Sequence, residues 1–238
     1  LFGFLGYVII GVALISLPFA QKIPVGFVDN LFNVVSAMST TGLTTGSLSD
    51  MYTPFGKIIL LGLIQLGAIG YMTLTSFLIL STSTKISTHR VKILSAEFSM
   101  HENFDLKHFI SNIIIYTIIV EFIGTVLLCI EFSKLGLQKP LWSAIFHCVS
   151  AFSTAGFSIY ADGLCRFQND VSVNLIIAFL CYAGAIGFIV PMDIYRRLTH
   201  KSKEITFTTK IILFITVMIT LTGSVIYIGS SGADALSA

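Results

Sequence analysis

Two stretches hold the residue types with the most chemistry to offer: Ser36-Ala-Met-Ser-Thr-Thr-Gly42-Leu-Thr-Thr-Gly46, and Ser150-Ala-Phe-Ser-Thr-Ala-Gly156-Phe-Ser158. Each sets hydroxyls and a central glycine between long apolar runs. Neither has a nucleophile beside a base or metal-ligand spacing. The four cysteines, Cys129, Cys148, Cys165 and Cys181, form no CxxC motif or Cys/His cluster; they read as buried free thiols rather than as a zinc or redox site. What such a stretch can do is coordinate. Glycine takes left-handed φ values freely, where other residues lose about 1 to 2 kcal/mol, and such values at intervals turn successive carbonyls toward one axis. Inward carbonyls beside the partly negative end of a short helix favour a dehydrating cation.

Something must hold these residues in a membrane. Of the 238 residues, 55% are hydrophobic and 11% charged, with a mean hydropathy of +0.89; an average soluble domain has roughly 25% charged residues. Apolar stretches of about the 20 residues needed to cross a bilayer occur at 2–19, 55–81, 109–132, 171–194 and 207–228. The net charge of +2 is too small, and the basic residues too scattered, for a nucleic-acid partner. Opening on Leu1 and running at once into a span, the sequence reads as a fragment of a longer chain. Lys85, Arg90, Lys92, Lys107, Arg196, Arg197, Lys201, Lys203 and Lys210 fall on one side of these spans, and Lys22, Lys57, Lys134, Lys139 and Arg166 on the other. The excess places the first group in the cytoplasm.

The two stretches belong to a repeat. Laid over each other, FNVVSAMSTTGLT from Phe32 and FHCVSAFSTAGFS from Phe146 agree at seven of thirteen positions, and GAIGY from Gly67 returns as GAIGF from Gly184 in the following span. The unit is span, short segment, span. Asp29 and Asn30 are candidate N-caps of the first segment, and Pro140 suits the first helical position of the second. A helix of about a dozen residues covers roughly 18 Å, too little to cross a hydrocarbon core of about 30 Å. Each segment is therefore expected to dip in from outside and return to the same side. The returning limb is rich in Thr and Gly, weak helix formers, so its carbonyls need partners that water or an ion can supply.

At these residues the chain resembles the Trk/Ktr/HKT superfamily of potassium transporters, whose polypeptide is similar to four fused potassium-channel units of the form helix, pore loop, helix. SAMSTTGL and SAFSTAGFS resemble its first two pore loops, and LIQLGAIGYMT the helix after the first. The resemblance implies an all-α polytopic membrane protein. It implies a first unit at 1–81, a cytoplasmic loop at 82–107, a second unit at 108–195, a second such loop at 196–206, and the opening helix of a third unit at 207–238. Ser39, Thr40, Thr41, Gly42 and Leu43 would line one quarter of a selectivity filter, and Ser153, Thr154, Ala155, Gly156 and Phe157 another. Gly42, in place of the serine that accompanies sodium transport in the plant branch, favours potassium.

The same resemblance implies potassium uptake across the plasma membrane, the bacterial inner membrane, by a multi-pass protein that is not an enzyme. Potassium is its substrate and this chain needs no cofactor. The implied partners are the lipid bilayer, a second copy in a homodimer, and a cytosolic nucleotide-binding regulatory subunit of the TrkA/KtrA type, toward whose docking the loop at 82–107 could contribute. A secondary transporter binding a small solute or sodium at broken helices is the alternative.

Other polar residues have two readings. Glu121, near the middle of its span, is either a functional carboxyl or a structural group that is protonated or paired. GAIG is either a hinge or a close-packing motif. Gln65 and Asn174 read as interhelical hydrogen-bonding residues, His147 as part of the short helix, and His101 and His108 as residues of a solvated cytoplasmic face.

Overall fold

A computed structural model describes residues 2–70, 106–199 and 204–236. Among these residues the chain is all-α: α1 (Phe2–Ile15), α2 (Phe27–Met38), α3 (Leu48–Met51), α4 (Pro54–Ile69), α5 (Leu106–Lys134), α6 (Pro140–Phe152), α7 (Val171–Ala185), α8 (Ile189–Leu198) and α9 (Phe207–Leu236). Residues 82–105 of the cytoplasmic loop expected at 82–107, with His101, and the end of the expected second span at 71–81 lie outside the described residues.

Local chemistry sets the helix ends, in places against expectation. The first span, expected over 2–19, is helical only to Ile15, because Pro18 lacks an N–H and opens a separate 3₁₀ turn, Pro18–Ala20. Helix α2 begins at Phe27 with Gly26 as its N-cap, not at Asp29 or Asn30. Asp29 sits in the first turn, where a carboxylate suits the helix dipole. Asn30 turns inward instead, its Nδ2 donating to the Val25 carbonyl at 3.3 Å and its Oδ1 accepting from the Tyr52 hydroxyl at 2.9 Å. Pro140 does occupy the first position of α6. The fourth expected span, 171–194, is interrupted: α7 stops at Ala185, Gly187 takes φ +81°, and α8 begins at Ile189.

Among the described residues two helical stretches can cross a membrane alone by length and composition, Ile110–Lys134 and Phe207–Tyr227. The described parts of α1, α4 and α7, with 14, 16 and 15 residues, reach about 21 to 24 Å at 1.5 Å per residue. Ile115, Ile118, Ile119, Phe122, Ile123 and Val126 of α5 are exposed, as suits a helix that meets lipid.

The chain divides after Ala185 into two units. In the first, α1, α2 and α4 pack together, α5, α6 and α7 do likewise, and α4 also touches α6. The two triplets use matching contacts. A methyl group on Gly11 of α1 would meet Val34 of α2 at 2.9 Å and Leu63 of α4 at 3.1 Å; on Gly124 of α5 it would meet Cys148 of α6 at 2.8 Å and Leu180 of α7 at 2.6 Å. Val34 aligns with Cys148 in the repeat, and Leu63 and Leu180 each stand four residues before the glycine that opens GAIG. Small residues at these crossings let the helices approach. Cys148 is buried, Cys129 and Cys181 are half-buried, and Cys165 is exposed, so burial does not extend to all four thiols. Asn174 does not bridge helices: its Nδ2 donates to the Phe167 and Gln168 carbonyls, both at 3.1 Å, just ahead of its own helix.

In the second unit Asp193 of α8 accepts from the Thr206 N–H at 2.7 Å and hydroxyl at 2.9 Å. Thr206 in turn caps α9 by accepting from the Thr209 N–H at 3.4 Å.

Candidate functional site

Helices α2 and α6 end in the same way. Thr41 N–H donates to the Ser36 carbonyl at 2.9 Å and Thr40 N–H to Ala37 at 3.2 Å; in the repeat, Ala155 N–H donates to Ser150 at 2.8 Å and Thr154 N–H to Ala151 at 2.9 Å. This crossed pair of bonds is the Schellman termination, which places one residue in the left-handed region and is usually met by glycine. Here that residue is a threonine in both copies, Thr40 at φ 51° and Thr154 at φ 52°. Gly42 at φ 83° and Gly156 at φ 71° follow two residues later. The left-handed turn expected of the glycines alone is thus shared with β-branched residues, for which it is strained.

That strain has a measurable size. Thr40→Gly and Thr154→Gly each raise thermal stability in detergent by about 0.5 to 1 kcal/mol, the left-handed penalty of about 1 to 2 kcal/mol less glycine's greater loss of backbone freedom. A lowered melting temperature would mean that the threonine side chains contribute more through their contacts than their backbones lose.

The two limbs meet at their glycines. A Cβ on Gly42 would run into the Ala155 carbonyl oxygen and would lie 3.3 Å from the Gly156 α-carbon. The named side chains are disposed unequally around this meeting point. Leu43 is 60% exposed, whereas Phe157 is 3% exposed and packs with Ala155 into the apolar core. Ser39 is turned back on its own helix, its hydroxyl donating to the Val35 carbonyl and lying 2.7 Å from the Thr41 hydroxyl. The Thr154 hydroxyl donates to the Ser153 carbonyl at 2.7 Å, and the Ser153 hydroxyl, like that of Ser36, is buried without a partner.

Each limb is braced from the same helical position, one residue after the repeated phenylalanine. Asn33 accepts from the Thr45 N–H at 3.2 Å and donates to the Tyr52 hydroxyl at 2.9 Å. Its counterpart His147 has Nδ1 2.8 Å from the Ser143 carbonyl and Nε2 3.0 Å from the Ser158 hydroxyl. A carbonyl can only accept, so Nδ1 carries the hydrogen. The ring stacks on Tyr160 with centroids 5.0 Å apart, and Ser150 adds a bond from its hydroxyl to the Phe157 carbonyl at 2.7 Å. Sequence reasoning missed this bracing; its signal was a polar residue in the same place on two apolar helices.

Behind the limbs stand the GAIG glycines. A Cβ on Gly67 would strike the Met38 carbonyl and one on Gly184 the Phe152 carbonyl, the matching last residues of α2 and α6. GAIG is a packing motif that seats each short helix end against the next helix. In the loop after the second limb, Arg166 donates to both Asp162 carboxylate oxygens, holding that carboxyl below the usual carboxylate range, and lies 4.1 Å over the Tyr160 ring.

The described residues form a polytopic α-helical membrane protein in which two short helices end in braced limbs that meet at their glycines. The chain belongs to the TrkH family of cation transport proteins, whose family model matches residues 4–230. It is 31% identical over 218 residues to the Ktr system potassium uptake protein B of Bacillus subtilis, covering 91% of this chain and 48% of that protein. With the Vibrio alginolyticus protein of the same name the identity is 30% over 228 residues, 95% of this chain and 50% of the relative. The potassium/sodium uptake protein NtpJ of Enterococcus hirae is 30% identical over 229 residues, again 95% and 50%. The chain spans about half the length of these relatives. It is a multi-pass protein of the plasma membrane and, by family, not an enzyme.

Proposed function

We propose that this chain is half of a potassium uptake protein, with helix–pore loop–helix units at 1–81 and 108–195 and the first helix of a third unit at 207–238. Main-chain oxygens of Ser39, Thr40, Thr41, Gly42 and Leu43 supply one wall of its filter, and those of Ser153, Thr154, Ala155, Gly156 and Phe157 a second. The observation that carries the reading is the meeting of the two limbs at Gly42 and Ala155–Gly156. Successive carbonyls of an extended strand point to opposite sides. A left-handed residue at every second place, Thr40 then Gly42 and Thr154 then Gly156, rotates the intervening oxygens toward one side. There they can replace the water around a monovalent cation.

The names of the relatives, potassium uptake proteins of a Ktr system, support potassium as cargo and a transporter with further components. A homodimer docked on a cytosolic nucleotide-binding subunit is the assembly proposed. Two walls cannot enclose an ion. In a bacterial strain lacking its own potassium uptake, the complete chain restores rubidium uptake, and residues 1–238 expressed alone do not. Selective rubidium flux through the 238-residue chain as a monomer would overturn the shared-filter reading. Radiolabelled sodium entering faster than rubidium would overturn the choice of potassium.

A further inference from the structure

Gln65 of α4 and Glu121 of α5 form a pair whose donors do not cover its acceptors. Gln65 Nε2 donates to Glu121 Oε2 at 3.1 Å, while Gln65 Oε1 and Glu121 Oε1 are both buried and both lack a partner. An ionised carboxylate only accepts, and an amide oxygen only accepts. With Glu121 charged, two acceptors are left unpaired at mid-span, where an unpaired polar group is costly and a charge more so.

The surroundings supply no remedy. Among the described residues no lysine, arginine or histidine forms an ion pair with Glu121. From α6, the Cys148 thiol donates to the Glu121 main-chain carbonyl at 3.1 Å, not to the carboxyl. The Tyr116 hydroxyl is taken by the Ala183 carbonyl of α7 at 2.9 Å. Thr117, one turn before Glu121 on α5, is fully buried and its hydroxyl makes no bond to either oxygen. One added hydrogen supplies the missing donor: on Oε1, it lets a carboxylic acid and an amide close a ring of two antiparallel hydrogen bonds.

We propose that Glu121 is a proton-binding site, its neutral carboxyl donating from Oε1 to Gln65 Oε1 and clamping α4 of the first helical triplet to α5 of the second. The ligand is a single proton, held between Gln65 of α4 and Glu121 of α5. The site does not depend on which ion the limbs pass.

Infrared spectra of the complete transporter in liposomes at neutral pH test this, with Glu121→Gln as the reference. The wild type minus Glu121→Gln difference carries the carbonyl band of a protonated carboxylic acid, and Gln65→Leu moves that band to higher frequency by removing its hydrogen-bond partner. Because glutamine copies the neutral acid, Glu121→Gln keeps its melting temperature and its rubidium uptake within about twofold. Only carboxylate bands at neutral pH would overturn the proposal, as would an acid band that appears only when sodium and potassium are withdrawn, which would mark a metal-ion site. Failure of Glu121→Gln to fold, or a more than tenfold loss of uptake in a stable Glu121→Gln protein, also counts against it. If the wild type moves no rubidium, the proposed function falls, and the band still decides this site.

Discussion

Gly42→Ala lowers rubidium uptake by the complete transporter about 100-fold, and Gly156→Ala lowers it about tenfold. The two glycines align in the repeat and both have positive φ, so each alanine carries the left-handed penalty of about 1 to 2 kcal/mol. Their surroundings differ. The new methyl at Gly42 collides with the Ala155 carbonyl, whereas at Gly156 the nearest atom is the Gly42 α-carbon at 4.0 Å. A collision with main chain cannot be relieved by a rotamer change, and overpacking of this kind adds about 1 to 3 kcal/mol. At about 1.4 kcal/mol per factor of ten, the two contributions separate the variants by roughly an order of magnitude. Uptake normalised to the amount of protein in the membrane measures the difference. Equal losses would show that the approach of the limbs is immaterial, and unaltered uptake in both would remove the limbs from the ion path.

Gly184→Ala disrupts the fold itself, whereas Gly62→Ala leaves it intact. At Gly184 the methyl falls on the Phe152 carbonyl, so α6 or α7 must be displaced; around Gly62, inside α4, nothing lies within 4 Å. The first change costs at least about 1 to 3 kcal/mol of overpacking, a loss of about 2 to 12 °C in melting temperature. The second gains up to about 1 kcal/mol of helix propensity. Fluorescence-detected gel filtration in detergent separates them, with Gly184→Ala aggregated or depleted and Gly62→Ala like wild type. A monodisperse, fully stable Gly184→Ala protein would return GAIG to the hinge reading.

Much of this arrangement could be read from residue types and spacing. The repeat is legible because seven aligned residues recur together with GAIG, and the short helices because about a dozen apolar residues between spans cannot cross. Gly42 and Gly156 stand out as the residues free to take positive φ, and both do. Thr40 and Thr154 gave no such signal, since their conformation is imposed by the crossed hydrogen bonds of the helix end and runs against their own preference. The bracing by Asn33 and His147 is visible only once the limb has folded back to bring Thr45 and Ser158 within reach. Helix ends were misplaced where the span pattern carried more weight than Pro18 and Gly187. Gln65 and Glu121 are 56 residues apart in the chain, too far for any periodicity to pair them.

Helix α5 is longer than the membrane that holds it. Its apolar stretch, Ile110–Lys134, has 25 residues, about 37 Å at 1.5 Å per residue against a hydrocarbon thickness of about 30 Å. Hydrophobic mismatch of this size is absorbed by a tilt of about 35° or by lipid that thickens around the helix. Because Glu121 rides on α5 and its amide partner on α4, acyl-chain length becomes one of the forces that set how the two halves of this unit lean on each other.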